Sequence, residues 1–389
     1  MPVIERISSG LAVVVGMLGL AAAMGIGRFA FTPLMPLMQA HSELTLAQGG
    51  WLATANYVGY LAGALVCVLA NPSPGTAARA GLAGVALSTL AMGTTSDFHA
   101  WLAWRFAAGL ASALVLVGIS AWALPRLARA ERSHWAGWVF SGVGVGIMFA
   151  GLVVLVIAVR GAGPSSGWLL MGAAATLILA LTWPCFSASG AAPAANAALR
   201  ADRFTADAWR LIGCYGIFGF GYIIPATFLP ALARQQIADP AIFGWAWPLF
   251  GLAAAASTLV ASLMRKVEPR RVLAIGQVVM AAGVVAPVIA ANAGLLVVAA
   301  IAIGGTFMVL TMAGMQEARR AAGNAAPRLI AAMTTSFATG QVLGPIVVGV
   351  LSSSARSLYV PSIAAAVLLV ASALILTLSY RPRGALSNI

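Results

Sequence analysis

Long apolar stretches alternate with short polar segments from one end of the chain to the other. Each apolar stretch has 18 or more residues, enough for an α-helix to cross a hydrocarbon core about 30 Å thick. Lipid offers the backbone no hydrogen-bond partners, and the alternating ten-residue segments of a membrane barrel are missing from the sequence, so helices are predicted. The twelve predicted spans lie near residues 10–39, 47–70, 78–97, 99–124, 135–159, 165–186, 208–233, 241–264, 271–291, 294–316, 328–353 and 357–380.

The longest polar interval, residues 187–207, lies near the middle of the chain and reads SASGAAPAANAALRADRFTAD. It predicts a cytoplasmic linker between two bundles of six helices. The N-terminal bundle then covers residues 1–186 and the C-terminal bundle covers residues 208–389.

The two halves repeat one another at a constant offset of 194 residues. The segment GIGRFAFTPLMP at 25–36 returns as GFGYIIPATFLP at 219–230, so that both glycines and the last proline coincide. Six helices per half is an even number. The halves therefore share one orientation and are related by an axis along the membrane normal, with a cavity predicted between them.

Composition and charge agree with a chain embedded in lipid. Of its 389 residues 61% are hydrophobic and 8% are charged, and the mean hydropathy is +0.96, whereas a soluble domain carries about a quarter charged residues. The net charge of +13 does not mark a nucleic-acid binder, because 17 of the 22 basic residues fall in segments on one side of the spans and three on the other. This asymmetry predicts that both termini are cytoplasmic.

Residues that carry catalytic or metal chemistry are sparse and scattered. The three cysteines fall inside apolar runs without metal-ligand spacing, and the three histidines lie in separate loops. No HExxH, GxGxxG or CxxC motif is present in the sequence. We therefore expect no enzyme activity, no metal and no cofactor. The residues concerned are Cys67, Cys185, Cys214, His41, His99 and His134.

Arg28 lies about 18 residues into the first predicted span, between two glycines and two prolines. A charge at mid-membrane costs roughly 2.5 to 3.5 kcal/mol on insertion scales, so the side chain should face protein or water. Its guanidinium could hold a carboxylate or another planar anion through two hydrogen bonds, or it could be a structural group bonded to helix carbonyls. The repeat partner of Arg28 is Tyr222. The scaffold is thus duplicated without the charge, which favours a role in substrate recognition.

Other polar and aromatic side chains at membrane depth are expected to line a cavity with Arg28, because a pocket needs a few polar groups on an apolar wall. Amides are costly in lipid, so Asn56 and Gln341 are expected in the interior. Trp51, Trp101 and Trp168 lie near loop ends and are predicted for the interfacial belt. The full predicted substrate-binding set is Arg28, Asn56, Tyr57, Tyr60, Tyr222, Trp245 and Gln341.

Three charged residues near span ends are predicted to have gating or structural roles. Arg105 follows Asp97 by eight residues across a short turn, so a buried Arg–Asp pair and a ligand contact are both open. Glu317 is followed closely by Arg319 and Arg320. For Glu317 a salt bridge that closes the cytoplasmic gate is favoured over proton carriage.

Four segments resemble the major facilitator superfamily and, within it, the YbfB/YjiJ-like branch of bacterial inner-membrane transporters. They read MGIGRFAFTPLMP, WLATANYVGYLAGAL, FSGVGVGIMFAG and TSFATGQVLGP, and the resemblance covers nearly the whole chain. It implies a multi-pass protein of the bacterial cytoplasmic membrane. It also implies that two six-helix bundles rock against each other to give alternating access.

The resemblance also implies gating or structural roles for several small residues. WRFAAGLASA at 104–113 is similar to the superfamily's pattern of an arginine four residues before a glycine, and GVGVG and GQVLGP are similar to its glycine-rich gating motif. The loop NPSPGTAARAG departs from the superfamily by lacking an acidic residue, whereas its counterpart MRKVEPRRVL keeps Glu268. For Gly25 and Gly27, the two glycines beside Arg28, tight helix packing is favoured over a helix break. The full set of small residues predicted to have gating or structural roles is Gly25, Gly27, Gly109, Gly142, Gly144, Gly146, Gly340, Gly344 and Pro345.

No acidic residue lies near the centre of a predicted span, which argues against antiport of cations through a membrane-embedded carboxylate. We predict a secondary transporter of a small organic anion, such as a carboxylate, with an exporter of lipophilic compounds as the alternative. The expected partners are a small-molecule substrate, the lipid bilayer and, if transport is coupled, a proton or counter-ion. Nucleic acid is not expected as a partner, and the protein is expected to be a monomer. The direction of transport stays open.

Overall fold

The computed structural model describes residues 7–42, 44–186, 204–237, 239, 244–263, 267–290, 292–351 and 358–378. Within these ranges twelve helical spans follow one another at the predicted places. They are α1 (Ser9–His41), α2 (Leu46–Ala70), α3 (Pro74–Thr94), α4 (Phe98–Arg129), α5 (Ala136–Val159), α6 (Pro164–Thr182), α7 (Ala206–Gln236), α8 (Ala246–Leu263), α9 (Pro269–Ile289), α10 (Ala293–Ala322), α11 (Ala326–Leu351) and α12 (Tyr359–Leu378).

Ten of these helices are long and apolar enough to cross a membrane. The other two are α8, which has 18 residues, and α3, which has 21 residues but includes Arg79 and several hydroxyl side chains. The prediction of an all-α polytopic membrane protein with twelve spans is confirmed. The predicted linker lies outside the described residues up to position 203.

The first span is not the uniform helix that the sequence predicts for residues 10–39. It consists of an α-helix Ser9–Leu20, a π-helical segment Ala21–Arg28 and a second α-helix Phe31–His41. The Phe29 amide donates to the Met24 carbonyl, five residues back, at 3.1 Å. Wide turns of this kind occur mostly as single bulges and are frequent at functional sites.

Glycine allows the π-helical segment to lie directly against α5. A Cβ added at Gly25 would sit 2.3 Å from the Cα of Gly146, and one added at Gly146 would sit 2.3 Å from the carbonyl oxygen of Ala21. Real Cβ atoms do not approach backbone this closely, so only glycine fits at either position. Small residues on both sides allow the close packing that replaces the hydrophobic effect inside a bilayer.

One hydrogen bond lies on the axis that relates the two halves. The Thr32 hydroxyl donates to the Ala226 carbonyl at 2.9 Å, across a sequence separation of 194 residues. This separation equals the repeat offset, so the two residues occupy equivalent places in the two bundles. Equivalent positions can touch only near their common axis. The predicted pseudo-symmetric arrangement therefore has α1 and α7 at its centre.

Two further helix pairs join the bundles, again through small residues. In α5 and α8, a Cβ added at Gly144 would lie 2.3 Å from the Ala255 amide nitrogen, and one at Gly251 would lie 2.3 Å from the Met148 nitrogen. In α2 and α11, the Cβ position of Gly50 is 3.0 Å from the Pro345 carbonyl oxygen. The bundles thus meet at α1–α7, α2–α11 and α5–α8.

Two of the three tryptophans that were predicted for the interfacial belt are buried instead. Trp51 is exposed, but Trp101 and Trp168 are in the core. The Trp101 indole nitrogen donates to the Thr95 carbonyl at 3.0 Å. The Trp101 side chain therefore stabilises the turn between α3 and α4 and does not face lipid headgroups. Position near a loop end is not enough to predict a tryptophan of the interfacial belt.

Candidate functional site

Arg28 ends the π-helical segment and points across the molecule to the other bundle. Its side chain is buried, with only 3% of the residue exposed. The Nη2 group donates a hydrogen bond to the Oε1 atom of Gln341 on α11. Among the described residues, the Arg28 side chain thus bonds a side-chain amide and not the helix carbonyls of the alternative. The side chain bridges α1 of one bundle and α11 of the other.

Aromatic rings surround the Arg28 guanidinium. Its central carbon lies 4.1 Å from the ring centre of Tyr60, 5.1 Å from that of Tyr57 and 5.4 Å from that of Phe29. These distances fall within cation–π range. The Tyr57 hydroxyl in turn hydrogen-bonds the Thr227 hydroxyl at 2.9 Å. Tyr57 and Tyr60 therefore hold the cation on the α2 side, and Tyr57 adds a second polar link between the bundles.

The positive charge of Arg28 has no acidic partner among the described residues. None of their ion pairs involves Arg28, and its Nε atom is buried without a hydrogen-bond partner. The acidic residues within the described ranges lie at helix ends or in turns, not at membrane centre. Aromatic faces, the Gln341 amide and the Tyr60 side chain surround the guanidinium, so its neighbours within these residues are neutral.

Arg105, the second buried arginine, is bonded to backbone. It donates to the carbonyls of Gly27 and Arg28 at 3.1 and 2.9 Å. The Asn56 amide donates to the carbonyls of Gly27 and Arg105 at 3.3 and 2.9 Å. Both residues therefore hold the end of the π-helical segment in place and position Arg28, rather than presenting their own groups to a ligand.

The predicted pair between Arg105 and Asp97 is not formed. The Asp97 side chain accepts a hydrogen bond from the Ala100 amide at 2.7 Å and caps the N-terminus of α4. An acidic N-cap satisfies a free helix amide and the helix dipole. Its side chain is largely exposed beside His99. Asp97 caps the start of α4 and Arg105 lies about two turns into the same helix, so the two side chains are at different depths.

Tyr222, the repeat partner of Arg28, belongs to a stack of five rings in the C-terminal bundle, which we term the aromatic ladder. Successive ring centres lie 4.7, 5.8, 5.3 and 5.9 Å apart, with interplanar angles between 7° and 27°. The Tyr222 hydroxyl also interacts with the Gln341 side chain. In order along the stack, the ladder consists of Trp247, Phe250, Phe307, Tyr222 and Phe337.

Trp245 was predicted for the binding set, but the structure places it elsewhere. Its residue is 48% exposed and lies in the turn before α8. Trp247, two positions later, is buried and its ring lies 6.4 Å from that of Phe29. The turn before α8 directs the two tryptophans to different sides, so the aromatic residue that reaches the interior is Trp247.

Glu317 pairs with Arg270 of another helix. The Arg270 guanidinium contacts Glu317 at 3.0 Å and Asp207 at 2.6 Å. These residues come from α10, α9 and α7, which all belong to the C-terminal bundle. The contact therefore joins helices within one bundle at the predicted cytoplasmic end. Glu317 thus forms a salt bridge, as predicted, and its role in closing the cytoplasmic gate stays a prediction.

The remaining glycines predicted for gating serve as close helix contacts. A Cβ at Gly109 would lie 1.9 Å from the Asn56 carbonyl oxygen, and one at Gly142 would lie 2.1 Å from that of Met17. At Gly340 and Gly344 the nearest atoms, 2.3 Å away, are the Gly216 carbonyl oxygen and an Ile223 methyl group. A Cβ at Gly27 would lie 2.7 Å from the Ser112 hydroxyl oxygen.

Several residues at the site were missed from sequence. Thr227 lies inside the repeated segment GFGYIIPATFLP, so its proximity to the axis could have been inferred from the repeat. Phe337 precedes Gln341 by four residues, which places both on one face of α11. Nothing in the sequence marks Phe307, because a phenylalanine in an apolar helix has no distinguishing pattern.

Comparisons with known proteins agree with this architecture. Residues 20–377 match the family described as uncharacterised MFS-type transporter YbfB. A segment of 96 residues, 23% of this chain, is 34% identical to the uncharacterized MFS-type transporter YceJ of Bacillus subtilis (strain 168) and spans 24% of that relative's length.

Two solved structures share the fold at low sequence identity. A point mutant of the nucleoside transporter NupG superposes with a TM-score of 0.73 at 15% identity, covering 95% of this chain and all of that one (100%). A bacterial homologue of the human lysosomal transporter Spinster, in an inward-facing and unoccupied conformation, gives a TM-score of 0.68 at 15% identity and covers 95% of both chains.

Proposed function

This chain belongs to the YbfB family of MFS-type transporters, and we propose that it moves a small organic anion, such as a carboxylate, by alternating access. As a member of this family it is a multi-pass membrane protein and a secondary transporter, not an enzyme. The proposal concerns the substrate. Placement in the bacterial inner membrane and action as a monomer also belong to it.

The observation that carries the proposal is the uncompensated charge of Arg28 at the junction of the bundles. A buried charge is tolerated when it is paired. Among the described residues, Arg28 is surrounded by Gln341, the Tyr60 side chain and aromatic faces, none of them acidic, and its Nε–H has no acceptor. A carboxylate would supply the missing charge and accept parallel hydrogen bonds from the guanidinium edge.

The position of Arg28 would couple the anion to rocking of the bundles. Arg28 comes from α1 and its partner Gln341 from α11, so an anion bound between them contacts both halves. A carboxylate oxygen is a stronger acceptor for a guanidinium than an amide oxygen. Binding would therefore replace the Arg28–Gln341 bond and release one of the polar links that joins the bundles.

Electrostatics limits the energetics of the proposed transport. Uptake of a monoanion into a negative-inside cell costs about 2.3 kcal/mol per 100 mV, so uptake would need a proton or another ion, whereas export is favoured by charge. The described residues place no carboxylate at mid-membrane for carrying a proton. A proton would then travel on the substrate or on a group at the helix ends.

The proposal is tested with Arg28→Lys. Lysine keeps the charge but has no planar guanidinium for bidentate binding. We expect carboxylates to raise the thermal unfolding temperature of the purified wild type. In Arg28→Lys, the apparent affinity obtained from this shift should fall at least tenfold, because a charge-assisted hydrogen bond of about 1.5 kcal/mol is lost. Arg160→Lys, at an exposed outer-loop position, is the matched control and should bind as the wild type does.

The alternative, export of lipophilic compounds, draws support from the aromatic ladder. Under that alternative, overproduction would confer resistance to hydrophobic cations, and Arg28→Ala would leave the resistance unchanged. Equal carboxylate binding by Arg28→Lys and the wild type would contradict the anion proposal, whereas resistance that is insensitive to Arg28 would favour the exporter.

A further inference from the structure

We infer that Arg234 closes the outer face of the transporter through a hydrogen bond that joins the two bundles and has to break when that face opens. The Nη1 group of Arg234 donates to the backbone carbonyl of Pro36. Arg234 belongs to α7 of the C-terminal bundle, and Pro36 belongs to α1 of the N-terminal bundle. The inference goes beyond the proposed function, because it concerns the opening of the bundles and holds for any substrate.

The contact lies on the outer side of the place where the repeat axis passes between the bundles. The hydrogen bond between Thr32 and Ala226 marks that place. Pro36 is about one turn past Thr32 along α1, and Arg234 is about two turns past Ala226 along α7. Both helices run outward in the predicted orientation of the chain, so the contact lies between the axis bond and the outer surface.

Helix dipoles favour a cation at this contact. The outer ends of α1 and α7 are their C-termini, and each C-terminus carries about half a negative charge. Arg234 is two residues before the end of α7, and the carbonyl that it bonds is five residues before the end of α1. A guanidinium between two helix C-termini is attracted to both and bonds a carbonyl. It therefore stabilises the arrangement in which the two ends meet.

The sequence gives this arginine a special position. The outer segments contain three basic residues, and Arg234 is one of them, although positive charge is normally depleted on that side. The repeat pairs Arg234 with Ala40, whereas Pro36 coincides with Pro230. The proline is thus present in both halves and the arginine in one, so the equivalent bond from Ala40 to Pro230 cannot form.

The outer side of the junction between the bundles is closed in this structure. Next to the Arg234 contact, α1, α5, α7 and α8 leave a cavity of about 20 Å³, which Pro33, Val154 and Trp247 help to line. Such a cavity has room for about one water molecule. On the other flank, the Cβ position of Gly50 in α2 is 3.0 Å from the Pro345 carbonyl oxygen of α11. The described helix ends thus pack closely on both flanks of α1 and α7.

Towards the cytoplasmic end, by contrast, α2 moves away from the other bundle. Gly50, Thr54 and Tyr57 follow one another on the face of α2 that is directed to that bundle, and all three are buried. Leu61 and Val68 continue the same face, but they are 36% and 69% exposed. The face is therefore covered in the outer half of the helix and uncovered in the inner half.

The partner helix α11 shows the same change. Pro345 and Ala338 are buried on one face in its outer and middle parts, whereas Thr335 and Ala331 continue this face and are exposed. Glycines keep α5 and α8 packed at both of their ends. The bundles are therefore separated between α2 and α11 on the cytoplasmic side, and the Arg234 bond lies on the opposite, closed side.

The experiment measures access to the outer side of the junction with cysteine probes and needs no ligand. In the full-length chain with Cys67, Cys185 and Cys214 replaced by alanine, Val154→Cys and Thr54→Cys are introduced separately. Both native side chains are buried, one on the α5–α8 flank and the other on the α2–α11 flank. The rate of labelling by a membrane-impermeant maleimide added outside sealed cells follows the fraction of molecules whose outer face is open.

We expect Arg234→Ala to raise the labelling rate of both probes about tenfold, as for loss of one hydrogen bond to a charged group. Arg234→Lys keeps a cationic donor and should be labelled at nearly the rate of the parent. Arg160→Ala is the matched control, because it removes another exposed arginine of the outer side. It should leave both labelling rates unchanged.

Three outcomes would overturn the inference. They are equal labelling of Arg234→Ala and its parent, an equally large increase in Arg160→Ala, and an increase at Val154→Cys alone. The last result would mean local loosening, since rocking of the bundles exposes both flanks. If Arg234→Ala does not fold, Arg234→Gln, which loses the charge but keeps a polar side chain, must be labelled faster than the parent. The labelling is measured without carboxylate, so failure here leaves the proposed function standing.

Discussion

Arg28 and Arg105 are both buried arginines of the N-terminal bundle, but they bond in opposite ways. Arg105 uses two of its donors on the carbonyls of Gly27 and Arg28, whereas Arg28 donates to a side chain of the other bundle. One arginine thus maintains the backbone that positions the other. The sequence predicts a structural or functional role for both arginines, because both lie inside spans and not in the loops that set the topology. The carbonyls that Arg105 bonds belong to the π-helical segment, which no local sequence pattern predicts.

At the residue scale, Gln341→Glu should fill the anion site from within. The new carboxylate would face the Arg28 guanidinium and replace the exogenous anion. Because the new carboxylate would pair with the buried Arg28 charge, we expect a higher unfolding temperature without ligand and loss of the carboxylate-induced shift. Differential scanning fluorimetry with and without benzoate measures both effects.

Gln341→Met is the control for this substitution. Methionine has a similar length, removes the hydrogen bond and adds no charge, so the unfolding temperature should fall while carboxylate binding is kept. If Gln341→Glu binds benzoate as the wild type does, Arg28 does not bind the anion.

At the element scale, the π-helical segment of α1 is what sets the site apart from its repeat. In the C-terminal bundle the equivalent stretch belongs to the continuous helix α7, Ala206–Gln236. The glycines at 25 and 219 coincide in the repeat, but Gly25 meets the backbone of Gly146 while Gly219 meets that of Phe337. Sequence could predict a span with paired glycines here. It could not predict the bulge, because the bulge depends on how deeply α5 approaches.

Gly25→Ala tests this contact between α1 and α5. The new methyl would lie 2.3 Å from the Cα of Gly146, so the helices must separate at a cost of about 1 to 3 kcal/mol. We expect a lower unfolding temperature and weaker carboxylate binding, because Arg28 lies one turn away. Both are measured on detergent-purified protein.

Gly10→Ala is the matched control in the same span. No atom lies within 4 Å of its Cβ position, and alanine favours helix over glycine. This variant should be as stable as the wild type or more so. Equal unfolding temperatures for Gly25→Ala and the wild type would show that α1 and α5 do not need this close approach.

At the scale of the whole molecule, the repeat predicted more than the spans themselves did. The offset of 194 residues implies an axis, and the hydrogen bond from Thr32 to Ala226 lies on it. The charged contacts at the predicted cytoplasmic end were harder to predict. Glu317 has two arginines close by in sequence, yet its partner is Arg270 of another helix. Sequence spacing within a helix says little about charges that meet between helices.

Alternating access requires that α2 and α11 separate, and a disulfide between them tests this. The Cβ position of Gly50 lies 3.7 Å from the Cα of Gly349, so cysteines at these two positions would be direct neighbours. In a background with Cys67, Cys185 and Cys214 replaced by alanine, Gly50→Cys with Gly349→Cys should lose exchange of labelled carboxylate in proteoliposomes on oxidation. Reduction should restore the exchange. Gly84→Cys with Ala111→Cys is the control, because that pair joins α3 and α4 within one bundle. Its Cβ positions are 2.8 Å apart, so these helices must separate by about 1 Å to reach the Cβ spacing of a disulfide, about 3.8 Å. A rigid bundle tolerates an internal cross-link, so the oxidised control should continue to exchange labelled carboxylate. If exchange also continues when α2 and α11 are cross-linked, rocking of the bundles about the α1–α7 axis is contradicted.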